Sequence, residues 1–323
     1  MKYGDLSGLD VAVSKVGFGT WQLGGETQFG GRQIGWGATD SSLAVSALKR
    51  ALDLGVTFFD TADIYGNGRS EELLGEALSE KIHETLVCTK FGNRENKDGL
   101  AYKDFSPSWA IKSLDGSLRR LRREAIDIFL LHSPAADYGS PDELRVTLDK
   151  QIQLGKLKRY GVSVKDVSGA KQVLERQFGT VIEGIYNVLD RRMEEHVLPE
   201  VLRRGLGFIA RVPLASGFLN QTLLDTPSKF SESDYRSGLS QEECAWRLDA
   251  ARSLSFLGAL PGGIPCSALL FCLSHPGVLT VIPGMRTPHQ VEINAQAGDL
   301  GHLEESIIML IREVIPAPYS AWV

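Results

Sequence analysis

Eight short apolar runs, separated by longer amphipathic runs, constrain the fold of this chain more than any other feature. Their apolar residues are nearly continuous and do not alternate with polar ones, which is typical of strands buried on both faces of a parallel sheet. The predicted strands are Val16–Gly19, Val56–Asp60, Leu86–Lys90, Ile126–His132, Arg159–Ser163, Val181–Tyr186, Gly207–Val212 and Val278–Ile282.

The runs between these strands have the spacing and length of amphipathic helices. Asp40 precedes the first of them and Gly55 follows it, as N-cap and C-cap residues do. The predicted helices are Ser41–Leu54, Ser70–Leu78, Ser108–Arg123, Pro141–Leu154, Val167–Arg176, Met193–Arg204, Gln241–Leu257, Cys266–Ser274 and Pro288–Ala297.

Eight strand–helix units predict an α/β fold, a (β/α)8 TIM barrel. We expect residues 2–13 to form an N-terminal β-hairpin and residues 302–314 an additional C-terminal helix. Residues 1–323 are expected to form a single barrel domain, because barrels reach this length as one domain. An open doubly wound sheet is the alternative, but the glycines after the first strand lack the third member of the dinucleotide-binding loop.

Composition argues against several classes of partner. Lysine and arginine number 35 against 40 acidic residues, and a net charge of −5 does not favour nucleic acid. The chain has no apolar run of membrane-spanning length, its N-terminus lacks the apolar core of a signal peptide, and its four cysteines form no CxxC pair. We therefore expect a cytoplasmic protein with a small-molecule partner and no membrane partner, whose oligomeric state the sequence leaves open. The isolated histidines show no metal-ligand spacing, so no metal is predicted.

Four polar side chains follow neighbouring strands, at the barrel end where active sites lie. Asp60, Lys90 and His132 end strands two, three and four, and Tyr65 follows strand two. A phenol beside an ammonium group favours its phenolate, so we expect Lys90 to lower the pKa of Tyr65 from about 10 toward neutrality. This set suits protonation of a carbonyl oxygen. Each residue alone also has a structural explanation, as a cap, a loop anchor, a solvated lysine or a packed histidine.

At these residues the chain resembles the aldo-keto reductase family. The motifs are GVTFFDTADIYG at residues 55–66, SEELLG at 70–75, TKFG at 89–92 and IDIFLLHSP at 126–134. The resemblance runs from GFGTW at residues 17–21 to IPG at 282–284. It implies a barrel that binds a nicotinamide cofactor without a Rossmann fold. It also implies Tyr65 as the general acid, tuned by Lys90 and Asp60, with His132 positioning the carbonyl.

The resemblance implies cofactor contacts as well. Near the nicotinamide it places Gly19, Thr20 and Trp21, with Ser163 and Glu183 at the carboxamide and Tyr186 stacked on the ring. Three residues depart from the family pattern: Val164 replaces an asparagine, Glu183 a glutamine and Ile293 a glutamate. The loops after strands seven and eight would hold the pyrophosphate and adenosine, through Val212, Pro213, Leu214, Ser216, Gly217, Leu219, Ile282, Pro283, Gly284, Arg286, Gln290 and Asn294.

Arg286 and Gln290 lie where the resemblance implies a 2′-phosphate, at the start of a helix. Arg286 therefore favours NADPH/NADP, with NADH as the alternative cofactor. Residues 24–40, 91–106 and 217–240 form long loops, and we expect Trp21 and Trp36 to line a substrate pocket. The alternative for Trp36 is that it packs its loop onto the barrel.

The function expected from these features is NAD(P)H-dependent reduction of a small aldehyde or ketone, with Tyr65 as the proton donor. The first alternative is the reverse reaction, dehydrogenation of a sugar or other alcohol. The second is a nucleotide-binding regulatory subunit, as some family members are. The third is an aldolase in which Lys90 forms a Schiff base.

Overall fold

The computed structural model describes residues 1–135, 141–225 and 230–316. Eight parallel strands form one sheet, in which each strand pairs with its neighbours along the chain. Parallel bridges from Val16 to Val281 and from Gly19 to Gly284 join the first strand to the last, so the sheet closes as the predicted TIM barrel. The barrel strands are Phe18–Gly19, Phe58–Asp60, Leu86–Phe91, Ile126–His132, Leu157–Ser163, Val181–Ile185, Gly207–Arg211 and Thr280–Ile282.

Glycine permits the closure of the barrel. A Cβ atom at Gly19 would lie 2.8 Å from the carbonyl oxygen of Ile282, closer than side-chain atoms approach backbone oxygen. The first and last strands can therefore meet only with a glycine at this position.

Helices surround the barrel and begin and end close to the predicted positions. The predicted helix Met193–Arg204 is interrupted at Val197, because Pro199 has no N–H to donate and its ring crowds the preceding turn. The α-helices are Ser41–Asp53, Arg69–Ala77, Pro107–Leu121, Pro141–Gln153, Val167–Arg176, Met193–His196, Leu198–Arg204, Gln221–Asp225, Gln241–Ser253, Gly263–Leu273, Pro288–Leu300 and Glu305–Val314. The 3₁₀-helices are Trp21–Gly24, Ser79–Glu84, Ala215–Gly217, Tyr235–Gly238 and Ser255–Ala259.

Two apolar clusters account for the packing. The larger one lies between the barrel wall and the helices. The smaller one joins side chains of six barrel strands, including Phe58, Cys88 and Ile209, and therefore fills the barrel interior. Leu6 and Val13 belong to this inner cluster and come from the N-terminal segment, so that segment covers the end of the barrel where the strands begin.

The terminal additions are as predicted. Tyr3–Gly4 and Val13–Ser14 pair as an antiparallel hairpin, and Glu305–Val314 is the additional C-terminal helix. Two further two-stranded ribbons, Gln28–Phe29 with Arg32–Gln33 and Asn93–Glu95 with Ala101–Lys103, lie in the loops after strands one and three. Within the three described segments, no helix is long and apolar enough to cross a membrane.

Candidate active site

The carboxyl ends of the barrel strands open into a cavity of about 810 Å³. Asp60, Tyr65 and His132 line this cavity. Lys90 does not reach the surface of the cavity but lies directly beneath it, fully buried and bonded to Asp60. The structure thus brings together the four residues predicted from neighbouring strand ends.

Lys90 is surrounded by oxygen atoms. Its Nζ donates to both carboxylate oxygens of Asp60, at 2.6 and 2.7 Å, and to the carbonyl oxygen of Thr61 at 2.9 Å. The carboxylate of Glu183, on the sixth strand, lies 3.3 Å away. Burial alone would lower the pKa of Lys90, but the charges of Asp60 and Glu183 more than compensate and raise it well above its ordinary value. Lys90 therefore remains an ammonium group.

Asp60 and Glu183 share this single ammonium group. Burial raises the pKa of Asp60 above its ordinary value, the nearby charge of Glu183 raises it further, and Lys90 opposes both effects. Ser163 donates to Glu183 Oε1 at 2.9 Å, which fixes the glutamate beside the lysine. The floor of the site is therefore a compact group of two carboxyls and one ammonium.

Tyr65 lies half-buried above this group, with its ring centre 5.3 Å from Lys90 Nζ. The expectation that the pKa of Tyr65 falls toward neutrality is wrong, although Lys90 does act in that direction. Burial raises the pKa of Tyr65 well above its ordinary value, and this outweighs the opposing charge of Lys90, while Asp60 and Glu183 raise the pKa further. At neutral pH Tyr65 is therefore a protonated phenol, which can donate its proton.

His132 faces Tyr65, with the two ring centres 5.9 Å apart and the rings nearly perpendicular. Burial lowers the pKa of His132 well below its ordinary value, and the charges of Lys90 and Lys103 lower it further, so the imidazole is neutral. Its Nδ1 is buried and has no hydrogen-bond partner among the described residues. A neutral imidazole carries one N–H donor, so Tyr65 and His132 together offer two donors to an oxygen atom in the cavity.

Aromatic rings form the wall next to Tyr65. Trp21 stacks on Tyr65 with ring centres 6.1 Å apart, and Trp36 meets Trp21 edge-on at 5.4 Å. Tyr235, which the sequence did not single out, packs against Trp21 at 4.9 Å and against Trp36 at 4.7 Å. Trp36 both lines the cavity and anchors its loop, so its two expected roles are compatible.

Two distant loops are bonded to each other over this wall. Trp36 and Asp234 form an antiparallel bridge, and Tyr235 N donates to the carbonyl oxygen of Gly35 at 3.0 Å. Gln33 Nε2 donates to the carbonyl oxygen of Ser233 at 2.9 Å. We call residues 33–36 and 233–235 the loop bridge. Arg286 Nη2 donates to the carbonyl oxygen of Trp36, which ties the loop after strand eight to the same bridge.

The loop after strand seven has an unusual backbone. Val212, Ala215 and Ser216 have φ angles of 55°, 50° and 60°, in the left-handed region. This conformation is strained for a β-branched residue such as Val212, and such strain clusters at functional sites. Successive turns of this kind direct backbone N–H groups toward one concavity, which favours an anion.

The loop after strand eight leads into the helix Pro288–Leu300, and the N-terminus of a helix favours negative charge. Arg286 precedes this helix by two residues, with a half-buried guanidinium group that lines the cavity. Its backbone N donates to Gln290 Oε1 at 2.7 Å, which holds the loop against the helix.

Most of the residues predicted to contact a cofactor or substrate do line the cavity. They are Gly19, Trp21, Trp36, Glu183, Val212, Pro213, Leu214, Ser216, Gly217, Ile282, Pro283, Gly284, Arg286, Gln290 and Asn294.

Four predicted contacts are not among the residues lining the cavity. Tyr186 is buried elsewhere: its hydroxyl donates to Glu194 at 2.6 Å and its ring packs against Phe271. Its expected place beside a nicotinamide ring is therefore corrected. The other three, Thr20, Ser163 and Leu219, are also fully buried. The hydroxyl of Thr20 donates to the carbonyl oxygen of Asp60, and that of Ser163 donates to the carboxylate of Glu183, so both residues help to position the site.

Sequence reasoning missed four cationic residues of the cavity: Lys103, Lys165, Arg211 and Arg236, the last of which is paired with Asp234. Arg211 ends the seventh strand, and its Nη2 donates to the carbonyl oxygen of Val164 at 3.1 Å. The position of Arg211 at a strand end could have revealed it by the argument used for Asp60, Lys90 and His132. Lys103 lies on a loop ribbon whose fold the sequence did not indicate.

The residues described include one group with metal-ligand chemistry, Asp60, Cys88 and Glu183, whose ligand atoms lie within 4.8 Å of one another. Lys90 already supplies a positive charge to the two carboxylates. Burial also raises the pKa of the Cys88 thiol well above its ordinary value, which disfavours the thiolate that a metal would need.

Comparison with known proteins agrees with this geometry. A model of the Aldo/keto reductase family matches residues 15–316, and the chain belongs to this family of oxidoreductases. It is 29% identical over 314 residues to the uncharacterized oxidoreductase YqkF of Bacillus subtilis, covering 97% of this chain and 96% of the relative. It is 27% identical to an NADH-specific methylglyoxal reductase of Escherichia coli, covering 98% and 99% of the two chains.

Among solved structures, the glycerol dehydrogenase AKR11B4 of Gluconobacter oxydans is similar over the whole barrel. The two chains superpose with a TM-score of 0.81 at 27% identity, covering 99% of this chain and 98% of the other.

Proposed function

We propose that the protein is an NADPH-dependent reductase of small aldehydes or ketones. The observation that carries the proposal is the meeting of two neutral donors, Tyr65 and His132, over the charged group formed by Lys90, Asp60 and Glu183. Donors fixed in a buried site stabilise the negative charge that develops on a carbonyl oxygen as it is reduced.

The cavity has the features that a dinucleotide cofactor needs. At one end, Arg286 and the N-terminus of the helix Pro288–Leu300 suit a phosphate group, and the backbone of residues 212–217 suits a second. At the other end, Glu183 Oε2 is buried and lies 3.3 Å from Lys90 Nζ, but it accepts no hydrogen bond among the described residues, so it can accept one from a carboxamide. Arg286 makes NADPH the preferred form, because a guanidinium group pairs well with a 2′-phosphate.

When bound, the reduced nicotinamide supplies a hydride to the carbonyl carbon. His132 orients the carbonyl oxygen through its single N–H, and Tyr65 donates the proton that completes the alcohol. Lys90 lies beneath the phenol and favours the phenolate that forms as the proton leaves. Trp21 and Trp36 exclude water from the reacting atoms.

The reverse reaction uses the same residues, with the phenolate of Tyr65 accepting a proton from an alcohol. The similarity to a glycerol dehydrogenase supports alcohol oxidation as the second candidate. The similarity to an NADH-specific reductase keeps NADH as the alternative cofactor.

The environment of Lys90 disfavours the aldolase alternative. Schiff-base formation requires a neutral amine, whereas Lys90 is held as an ammonium group by two carboxylates and is fully buried. The presence of Asp60, Tyr65, Lys90 and His132 in one site also favours an enzyme over a purely regulatory subunit.

The test is a fluorescence titration of the purified protein with NADPH and then NADH, followed by assays of NADPH oxidation with several small aldehydes. We expect tighter binding of NADPH and aldehyde-dependent oxidation. Failure to bind either dinucleotide would refute the proposal. Binding without turnover of any aldehyde, together with oxidation of alcohols by NADP⁺, would instead establish the dehydrogenase.

A further inference from the structure

Three cationic side chains lie at the edge of the cavity next to His132. Lys103 Nζ donates to the carbonyl oxygen of His132 at 2.7 Å, so its ammonium group is beside the residue that faces Tyr65. Arg211 donates to the carbonyl oxygen of Val164, the residue that precedes Lys165. All three cations line the cavity.

These cations lack acidic partners. None of the three forms a salt bridge with a residue in the described segments. The carboxylates that line the cavity are Asp60 and Glu183, and Lys90 pairs with both of them. Arg211 Nε is in addition buried without a hydrogen-bond partner among the described residues. Positive charge therefore exceeds negative charge at this edge. A buried donor such as Arg211 Nε is costly to leave without an acceptor, and an anionic ligand would supply that acceptor.

The charges also act on one another. Lys165 helps to lower the pKa of Lys103, although burial is the larger cause, and Lys103, Arg211 and Lys165 all lower the pKa of His132. Lys103 and Lys165 therefore repel each other, and all three cations lie close enough to His132 to act on it. An anion placed among them would relieve this repulsion.

The location separates the two lysines of this cluster from the proposed phosphate contacts of a cofactor, whereas Arg211 ends strand seven and directly precedes Val212. Lys103 lies on the ribbon after strand three and Lys165 follows strand five, whereas Arg286 and residues 212–217 follow strands eight and seven. Lys103 and Lys165 thus belong to the side of the cavity next to His132, where the carbonyl would be held.

We propose that the substrate is a small aldehyde or ketone that carries an anionic group, a carboxylate or a phosphate, which Lys103, Lys165 and Arg211 bind while the carbonyl meets Tyr65 and His132. This inference rests on the proposed function and narrows its substrate class. The anionic group is bound at a distance from the reacting carbon, so its binding energy serves to orient the carbonyl.

The experiment compares substrates that differ in charge but not in the reacting carbonyl. Succinic semialdehyde is paired with methyl 4-oxobutanoate, and glyceraldehyde 3-phosphate with glyceraldehyde. We expect kcat/KM to be about tenfold or more higher for one anionic member than for its neutral partner. The pair that shows the difference identifies the anionic group as a carboxylate or a phosphate.

The double variant Lys103→Met/Lys165→Met should abolish most of this preference. Its matched control is Lys150→Met/Lys171→Met, which removes two exposed lysines from outer helices and should keep the preference. The Kd for NADPH is measured in both variants by fluorescence. Loss of NADPH binding in parallel with the loss of preference would assign the lysines to the cofactor and overturn the inference.

The remaining outcomes separate the inference from the proposed function. Equal kcat/KM within both pairs, with NADPH oxidised by the neutral aldehydes, would overturn the inference and leave the proposed function intact. If the protein oxidises NADPH with none of the four compounds, the proposed function is not supported by these substrates. The anion site is then tested separately, by calorimetric titration with the alcohol products. Binding of 4-hydroxybutanoate or glycerol 3-phosphate that weakens about tenfold in the Lys103→Met/Lys165→Met variant would support the anion site. Equal binding, or none, would overturn it.

Discussion

The ammonium group of Lys90 lies 3.3 Å from the carboxylate of Glu183. Because Lys90 is also bonded to Asp60, two carboxyls share one positive charge beneath Tyr65. Glu183 stands where the family pattern has a neutral glutamine, so this chain has one more negative charge at the floor of its site. The charge acts on Tyr65, whose pKa Glu183 helps to raise.

Replacement of Glu183 by glutamine should lower the pKa of Tyr65. Removing a nearby negative charge favours the phenolate, and alcohol oxidation requires the phenolate, so the rise of kcat/KM for oxidation should move to lower pH. The pH profile of alcohol oxidation by wild-type protein and Glu183→Gln measures the shift. Glu175→Gln, on the exposed surface of a helix, is the matched control. An unchanged profile in Glu183→Gln would show that Glu183 has no influence on the proton donor.

Tyr65→Phe should lose about two to four orders of magnitude in kcat for aldehyde reduction, because it removes the proton donor. NADPH binding should persist, since no cofactor contact is assigned to the hydroxyl. Steady-state kinetics and fluorescence titration measure the two effects. Tyr160→Phe is the control: it removes a hydroxyl bonded to Asp149 on the outside of the barrel, and turnover should remain near that of the wild type. Activity retained in Tyr65→Phe would refute its assignment as the proton donor.

Arg286→Ala should weaken NADPH much more than NADH. Loss of a charge-assisted hydrogen bond to phosphate costs about 1.5–3 kcal/mol, or about 10- to 150-fold in Kd. Fluorescence titration of both cofactors measures the ratio. The variant also loses the bond to Trp36 O, so any effect of loosening the loop should appear equally for both cofactors. An equal loss for NADPH and NADH would show that Arg286 does not recognise the 2′-phosphate.

A preference for anionic substrates should weaken as the pH rises through about 8. Burial and the charge of Lys165 lower the pKa of Lys103 to about 8, against the opposing charge of Asp63. Lys103 is thus cationic below this pH and neutral above it. The ratio of kcat/KM for succinic semialdehyde and its methyl ester should follow this titration. In Lys103→Arg, whose charge persists, the ratio should stay level through the same range.

Asp63→Asn should raise the free energy of unfolding at about pH 8 by about 1–3 kcal/mol. At this pH the wild-type carboxylate is charged and buried, and its Oδ1 has no hydrogen-bond partner among the described residues. Burial and the charge of Glu71 raise the pKa of Asp63 to about 7, while Ser113 and Arg120 oppose them. Between about pH 4 and 7 the folded protein keeps a proton that the unfolded chain has released, so the stability of wild type falls as the pH rises.

The stabilisation of Asp63→Asn should accordingly disappear as the pH falls from about 7 to about 4. Thermal unfolding at several pH values tests this. The control Asp115→Asn removes a partly exposed carboxylate and should show no such trend. A constant difference between Asp63→Asn and wild type at all pH values would contradict the proposed titration.

The barrel strands could be predicted from the sequence because burial on both faces leaves a continuous apolar run. Ile126–His132 was predicted to the residue, and the ends of the strands placed Asp60, Lys90 and His132 at one rim. The break at Val197 was missed, since Pro199 lies inside an otherwise regular helical pattern and is tolerated in a first helical turn.

The position of Tyr186 shows why side-chain direction is harder to predict. Successive strand residues point to opposite faces, so an error of one residue at the end of a strand reverses the direction. The sixth strand ends at Ile185, and Tyr186 turns toward Phe271, outside the barrel. Arg211, at the end of the next strand, lies in the cavity instead.

The pKa of Tyr65 could not be predicted from the sequence because burial and charge act in opposite directions. The motif specifies that Lys90 is near Tyr65, but the depth of the phenol and the presence of Glu183 depend on the assembled barrel. Lys103 lies on a short two-stranded ribbon in a loop, and such short strands leave little periodicity of apolar residues from which to predict them.

The loop bridge connects a residue assigned to the substrate pocket with a residue assigned to the cofactor. Trp36, which we assign to the substrate pocket, lines the cavity, and its carbonyl oxygen accepts a hydrogen bond from Arg286, which we assign to the cofactor. We therefore expect a substitution that reshapes residues 33–36 to weaken binding of the dinucleotide as well. With these assignments, we expect substrate range and cofactor choice to change together, so that redesign of one would require compensating changes in the other.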